Sequence, residues 1–273
     1  MMKLYRFVFF TFFLYNFLYI DTMKCSAQLN SDDIESINRL YHQAQTYFYN
    51  KQYDQALTAF NKYIHESKNL ETDQPRILWC IDQIGRIYLR EKRDPEAAIQ
   101  FFNDMLKDHR LTEAEEDDIS SWIAAAEDWQ SVGKFPKMTQ DPTEQFELGA
   151  MYFKAGMRKL QAPMDKAGNA DFAIAQSYLL PFIINNDHDK RIGEALYMMG
   201  EIRRRLWNDV TFWAENYYFT EVIRRFPHTP LAWKAYQSFE EDVHFGYSGS
   251  GGDFTPESVV KMLKAYKALA MQK

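Results

Sequence analysis

The sequence predicts an all-α fold built as a stack of antiparallel helix pairs, an α-solenoid rather than a closed globule. Two stretches predict it. Leu40, Ala44, Tyr47, Tyr53, Ala56 and Phe60 fall at the spacings of a packed helical hairpin, and Ile81, Ile84, Gly85, Tyr88, Ala98 and Phe102 almost repeat that order. A recurring helix–turn–helix unit buries its apolar face on its neighbours and works by presenting a surface. Composition agrees. Apolar residues make up 46% of the 273 residues, and aromatics reach 16%, with 17 Tyr and 21 Phe available as wedges between helices.

The first helix opens at Ser31, a capping residue followed by Asp32, Asp33 and Glu35 near the positive end of the helix dipole. Its stripe is Ile37, Leu40, Ala44 and Tyr47, and it runs to about Asn50. After Asn50-Lys51-Gln52 a second helix carries Tyr53, Ala56, Phe60 and Ile64. Small Ala44 and Ala56 let the two helices approach, with Tyr47 and Phe60 filling the wedge. The second pair spans Ile81 to Met105, with its turn at Glu91–Pro95. A single helix follows from Thr112, with Trp122, Ile123, Ala126 and Trp129 on its apolar face, and 131–142 is a break. A third pair starts with Phe146, Leu148, Gly149, Tyr152 and Gly156. Its partner helix carries Phe172, Ala175, Leu179 and Phe182, with Pro181 inside it and an insertion over 157–170 between the two. A fourth pair places Leu196, Met199 and Gly200 against Phe212, Phe219 and Val222, with Ala214 and Glu215 leaving its small-residue position ambiguous. Phe226 to Ala232 is a junction, Trp233 and Tyr236 begin a half repeat, and a glycine-rich stretch leads to a last helix. Thr255 is its expected cap, with Pro256 in the first turn, and Val259, Met262, Leu263, Tyr266 and Leu269 give it one apolar face to cover the end of the stack.

This pattern resembles the tetratricopeptide repeat (TPR). The first pair departs from it at Gln43, where an aliphatic residue is usual, and the second has a turn one residue longer than the usual form. The glycines at 85, 149 and 200 are not spaced at the regular period of about 34 residues, so the stack is expected to be irregular. The phrase from Phe219 to Ala232 is similar to exported bacterial envelope proteins of the TPR class. The domain reading is a signal peptide over 1–27, a TPR-like domain over 28–245, a Gly/Ser-rich connector over 246–254 and a C-terminal helix over 255–273.

The N-terminus reads as a secretory signal. Lys3 and Arg6 precede an apolar run from Phe7 to Ile20, and Cys25-Ser26-Ala27 offers a small-residue exit before Gln28. As a helix, 14 residues reach about 21 Å, short of the roughly 30 Å hydrocarbon core. A cleaved signal is therefore preferred over a retained anchor, a lipidated Cys25 or a start at Met23. The chain is expected to be exported and associated with the periplasm or envelope, with membrane attachment only through its N-terminus. Cys80 is then a lone, buried thiol, so packing alone must hold the fold. The net charge of −6 becomes −8 once Lys3, Arg6, Lys24 and Asp21 leave with the signal. That balance argues against a nucleic-acid function, which needs a basic stripe.

No constellation for catalysis emerges. Gly251-Gly252-Asp253 lacks the lysine of a phosphate loop, and Gly246-Tyr247-Ser248-Gly249-Ser250 misses the second glycine of a nucleophile elbow. The six histidines are scattered; Asp187-His188-Asp189 is the best metal candidate and reads better as an inter-helix loop. Glu240, Glu241 and Asp242 read as a solvated face. Arg203-Arg204-Arg205 fan around a helix, so one of them faces a neighbour or a groove, with Glu201 an obvious ion-pair partner. No cofactor and no metal is expected, and the chain reads as a non-enzyme.

The TPR resemblance implies a concave surface lined by the first helix of each pair. Asn38, Tyr41, Gln45 and Tyr49 map there, followed by Asp82, Arg86 and Arg90, then Phe146, Phe153 and Lys154, then Tyr197, Glu201, Arg204 and Arg205. Aromatics and arginines are the residue types that anchor interfaces. Such a groove is positive despite the acidic chain, and suits a protein or peptide partner, acidic or bound by its C-terminus. The Lys/Asn carboxylate clamp of some family members is absent. The alternative reading is a helical protein that binds a small ligand or a glycan such as a peptidoglycan fragment, using the aromatic groove and the 157–170 insertion.

Overall fold

A computed structural model describes residues 31–67, 74–107, 111–132, 139–162, 165–206, 217–250 and 252–271. The signal-like segment 1–27 lies outside them, as do Phe212, Ala214 and Glu215 of the fourth pair, residues 163–164 of the insertion, and Gly251. The elements are α1 (Ser31–Tyr49), α2 (Tyr53–Glu66), α3 (Gln74–Arg86), α4 (Pro95–Met105), α5 (Glu113–Val132), α6 (Pro142–Lys159), α7 (Asn169–Asn185), α8 (Ile192–Arg205), α9 (Tyr217–Arg225), α10 (Pro230–Tyr247) and α11 (Glu257–Ala270). Two short strands, β1 (Ser248–Gly249) and β2 (Gly252–Asp253), pair antiparallel between α10 and α11. The protein is all-α, a TPR-like solenoid of packed antiparallel pairs.

Local sequence sets the helix starts. Asp94, Asp141 and Thr229 cap α4, α6 and α10, each accepting from a backbone N–H two or three residues on, with Pro95, Pro142 and Pro230 in the first turn. Thr112 and Glu115 form a reciprocal capping box before α5: the Thr112 N–H donates to the Glu115 carboxylate at 2.8 Å and the Glu115 N–H to the Thr112 hydroxyl at 3.4 Å. The long turn of the second pair has a simple resolution. The end of α3 widens into a π-helical segment, Ile87–Lys92, which absorbs the extra residue before Arg93 turns left-handed at φ 54°.

The small residues of the first helices do what the hairpin pattern demands. Gly85 lies so close to Phe102 and Trp122 that a Cβ there would sit 2.7 Å from both rings. Gly149 meets Leu179 in the same way, and a Cβ on Gly200 would come within 2.4 Å of Phe219. In the first pair Ala44 and Ala56 are fully buried. The wedge there is Phe48 with Phe60, their rings 6.2 Å apart, while Tyr47 stands at the edge and its hydroxyl accepts from Gln43.

Three expectations change. Only the two ends of the 157–170 insertion are helix, since α6 runs to Lys159 and α7 begins at Asn169. The link between them is tight because Gly156 and Gly168 touch backbone to backbone; a Cβ on Gly168 would sit 2.6 Å from the Gly156 carbonyl. Residues 246–247 of the expected connector belong to α10, and the hairpin follows. Thr255 does not cap the last helix: its hydroxyl turns back to Asp253, and Pro256, in extended conformation, is the cap residue. The role foreseen for α11 stands, as it packs on α9 and α10, with Leu263 and Ala270 buried and Tyr266 edge-on to Phe239 at 5.6 Å.

Helix α7 departs from a nearest-neighbour stack. Every residue from Asn169 to Leu179 is buried, which is the signature of a helix covered on all sides. It packs on α6 and α8, its neighbours in sequence, and also on α5 and on the π-helical end of α3. Trp129 Nε1 of α5 donates to the Tyr178 hydroxyl at 2.7 Å, and Asn169 Nδ2 donates to Asp82 of α3 at 3.2 Å. Pro181 sits inside α7 and has no N–H for the Ser177 carbonyl one turn earlier. The Arg93 guanidinium supplies the missing donor, and the same group lies 5.4 Å from the centre of the Tyr178 ring.

This arrangement predicts a measurable coupling. Arg93→Met orphans the Ser177 carbonyl and should cost about 2 kcal/mol in urea unfolding. With Pro181→Ala in place, the helix supplies its own N–H, and the same change should cost at least about 1 kcal/mol less. Equal costs in the two backgrounds would show that Arg93 does not serve the proline gap.

Candidate functional site

The residues expected to line one concave surface separate into distinct environments. On α1, Tyr41 packs against Tyr63 and Trp79 with Arg76 over its ring at 5.2 Å, Asn38 accepts from Arg76 at 2.7 Å, Gln45 bonds His42, and Tyr49 is exposed. On α3, Asp82 and Arg86 turn inward as an ion pair at 3.0 Å; Arg86, expected on the surface, is 3% exposed. On α6, Phe146 packs on Phe182 of α7 beneath Arg191, and Phe153 packs on Phe172, leaving Lys154 exposed.

A second inward cluster forms on α8. Glu201, also expected on the surface, is 4% exposed. It accepts from the Tyr197 hydroxyl at 2.9 Å and from Ser238 of α10 at 2.6 Å, and it pairs with Arg205. Arg204 reaches Asp242 at 2.9 Å and Glu241 at 2.8 Å on α10, so that acidic group is a helix–helix contact as much as a solvated face. Burial opposes the charge on Glu201, but Arg205, Ser238 and Arg204 outweigh it and hold the carboxyl below its ordinary value. The Asp187-His188-Asp189 tripeptide is likewise engaged: Asp187 accepts from Arg225 at 2.7 Å, and Asp189 takes a two-pronged bond from Arg191. Among the described residues no group of three metal-ligating side chains is assembled, and no helix is long and apolar enough to cross a membrane.

Arg90 is the predicted residue that reaches an open site. It lines a cleft of about 430 Å³ where the first two helix pairs meet α7, α8 and α9. Lys51 and Tyr53 come from the turn of the first pair and the start of α2, and Arg90 and Glu91 from the π-helical segment. Gln176 and Leu180 face in from α7, Met199 and Arg203 from α8, and Tyr218 from α9. Both α7 and α8 thus contribute one polar and one apolar residue a single turn apart. Arg90 donates to Glu91 at 2.5 Å and to Gln176 Oε1 at 3.3 Å. The Tyr53 hydroxyl shares this group: burial first, then Glu91, raise its pKa against the opposing pull of Arg90. Lys51 holds a left-handed backbone at φ 59°, a conformation that costs a non-glycine residue about 1 kcal/mol. Arg203 is the member of the arginine triplet that lines the cleft, while Arg204 reaches Asp242 of α10 and Arg205 pairs with Glu201 on its own helix.

A family model of the tetratricopeptide repeat matches residues 40–69, the second half of α1 and the whole of α2. The first helix pair is thus similar to a tetratricopeptide repeat. Such repeats are typically protein-interaction modules, and the buried Ala44, Ala56 and Phe60 of this TPR are the residues on which its two helices close. No curated protein and no solved structure matches the chain. The TPR contributes Lys51 and Tyr53 to the cleft, so the recognised repeat forms one of its walls.

The Glu201 cluster sets a pH dependence. Its carboxyl is depressed in the folded state, so its stabilising effect is present above the unfolded value of 4.5 and is lost as pH falls through the lower folded value. Glu201→Gln should therefore destabilise the protein by about 3 kcal/mol at pH 7. The gap from the parent should narrow steadily below pH 4.5, measured by urea unfolding across pH. A gap that is constant with pH would contradict the assigned charge.

Proposed function

We propose that the chain is an exported, non-catalytic TPR scaffold that holds a protein or peptide partner in the cell envelope. The observation that carries the reading is the placement of the cleft. A protein-interaction repeat forms one wall, and a basic lining faces outward in a chain of net charge −6. The signal-like start, Lys3 and Arg6 before the apolar run to Ile20, supports export with cleavage before Gln28. Among the residues first mapped to the groove, Tyr49 and Lys154 are exposed and extend the partner contact beyond the cleft, whereas Arg86 is buried against Asp82 of its own helix and Glu201 ties α8 to α10.

A photo-crosslinking residue at Lys51, on the rim, should capture a discrete protein in the source cells. The same residue at Lys107, exposed at the end of α4, should not. N-terminal sequencing of the purified product should begin at Gln28. Equal labelling from both positions, or none from Lys51, would contradict the scaffold reading.

A second reading keeps one specific support. The cleft volume of about 430 Å³ falls within the range of roughly 300–1,000 Å³ usual for small-ligand sites, and Tyr53 and Tyr218 could stack on a sugar. Thermal stabilisation by peptidoglycan fragments, with no protein captured at Lys51, would favour that reading.

A further inference from the structure

The geometry points to a binding site inside the α3–α7 seam whose ligand is water: one ordered internal molecule held by the Arg86 guanidinium and the side-chain amides of Gln83 and Asn169. The site shares no residue with the lining of the junction cleft, and it stands independently of the scaffold reading.

Asp82 is the hub. Its Oδ1 accepts from Asn169 Nδ2 at 3.2 Å, and its Oδ2 accepts from Gln83 Nε2 at 3.2 Å. Arg86 Nε lies 3.0 Å from the same Oδ2, as a charge contact whose N–H is not aimed at the oxygen and makes no hydrogen bond. Three side chains thus meet one carboxylate, and each has polar atoms left over. Arg86 keeps the N–H groups of Nε and Nη2, Gln83 keeps Oε1, and Asn169 keeps Oδ1. All four atoms are buried, and none finds a hydrogen-bond partner among the described residues. Arg86, Gln83 and Asn169 are 3%, 1% and 5% exposed, so bulk solvent does not reach them.

Buried polar groups left unpaired are costly, and each one in a folded protein calls for a partner. The balance of donors and acceptors fixes what that partner is. Arg86 offers two donors, and the two amides offer one acceptor each. Turning either amide over would not change the balance, because its oxygen would then face the Asp82 carboxylate. An anion is disfavoured by both amide oxygens, and a cation by the guanidinium. Water accepts twice and donates twice, which matches the set. A buried water makes about three hydrogen bonds, so one molecule can accept from Arg86 and donate to Gln83 and Asn169. Larger hydroxyl compounds are shut out, since the four atoms are closed off from the surface.

The position gives the water a structural role. Gln83 and Arg86 lie one turn apart on α3, and Asn169 opens α7. The molecule therefore bridges the two helices beside their direct Asn169–Asp82 bond and lets Arg86 be buried without wasting its fork.

A high-resolution crystal structure of the purified protein tests the site. A water peak should lie about 2.7–3.2 Å from Arg86 Nε or Nη2 and from Gln83 Oε1 or Asn169 Oδ1. An Asp82 carboxylate swung round to fill the Arg86 fork, or a site with no peak, would overturn the inference. Oxygen-17 relaxation dispersion counts the waters held longer than the protein tumbles in solution. Gln83→Met with Asn169→Leu removes both acceptors with little change of side-chain size, and should lower that count by one at parental helix content in circular dichroism. An unchanged count in the folded variant would overturn the inference as well. Where the double variant does not fold, Gln83→Met alone is measured against the same expectation, and the crystal structure of the parent decides.

Discussion

The burial of α7 on every side is the constraint from which the rest of the architecture follows. A helix with buried residues from Asn169 through Leu179 cannot lie at the edge of a stack. Phe172, Ile174, Tyr178, Leu179 and Phe182 are essentially inaccessible, and each such side chain contributes about 1.5–3 kcal/mol by leaving water. To cover them, the chain brings α3 and α5 against a helix that lies several elements further on, in addition to α6 and α8. The cost is a set of polar groups enclosed at the seam, four of which bond across it: Asn169 with Asp82, Gln176 with Arg90, the Ser177 carbonyl with Arg93, and the Tyr178 hydroxyl with Trp129.

That seam explains why residues suited to a concave surface are consumed by packing. Arg86 lies on the turn of α3 that faces α7, so its charge is spent on Asp82. One turn later Arg90 emerges at the edge of the seam, where the π-helical widening and the turn of the first pair leave space. The cleft is the gap left where a stack of pairs meets a central helix that it must also cover. The α8–α10 contact is a second instance of the same economy, with Glu201 and Arg204 reaching α10 and Arg205 holding the Glu201 carboxylate from its own helix.

The hairpins were legible in the sequence because their determinants are local. Gly85, Gly149 and Gly200 mark close approach, and each receives a bulky side chain of its partner helix. Asp94, Thr112, Asp141 and Thr229 mark helix starts within three residues of the groups they bind. The cleft was not legible, although parts of it left a trace. Arg203 belonged to a triplet of which one member had to face a neighbour or a groove, and Gln176 with Leu180 and Met199 with Arg203 share a four-residue spacing. What no local pattern carries is the docking of α7 on α3. Arg93 and Ser177 are 84 residues apart, and their pairing is set by the total apolar surface that α7 must hide. The same long-range burial turned Arg86 and Glu201 inward, since a charged residue on a first helix reads as exposed until the helix packed over it is known.

Native-state amide hydrogen exchange across a urea series tests the role of α7 most directly. If α7 ties both halves together, amides of Ile174–Leu179 should exchange only through global unfolding, at the same free energy as the most protected amides of α2 and α10. A simple nearest-neighbour stack would open from its ends. Exchange of the α1–α4 amides through a separate, lower-energy opening while α7 stays protected would contradict the account.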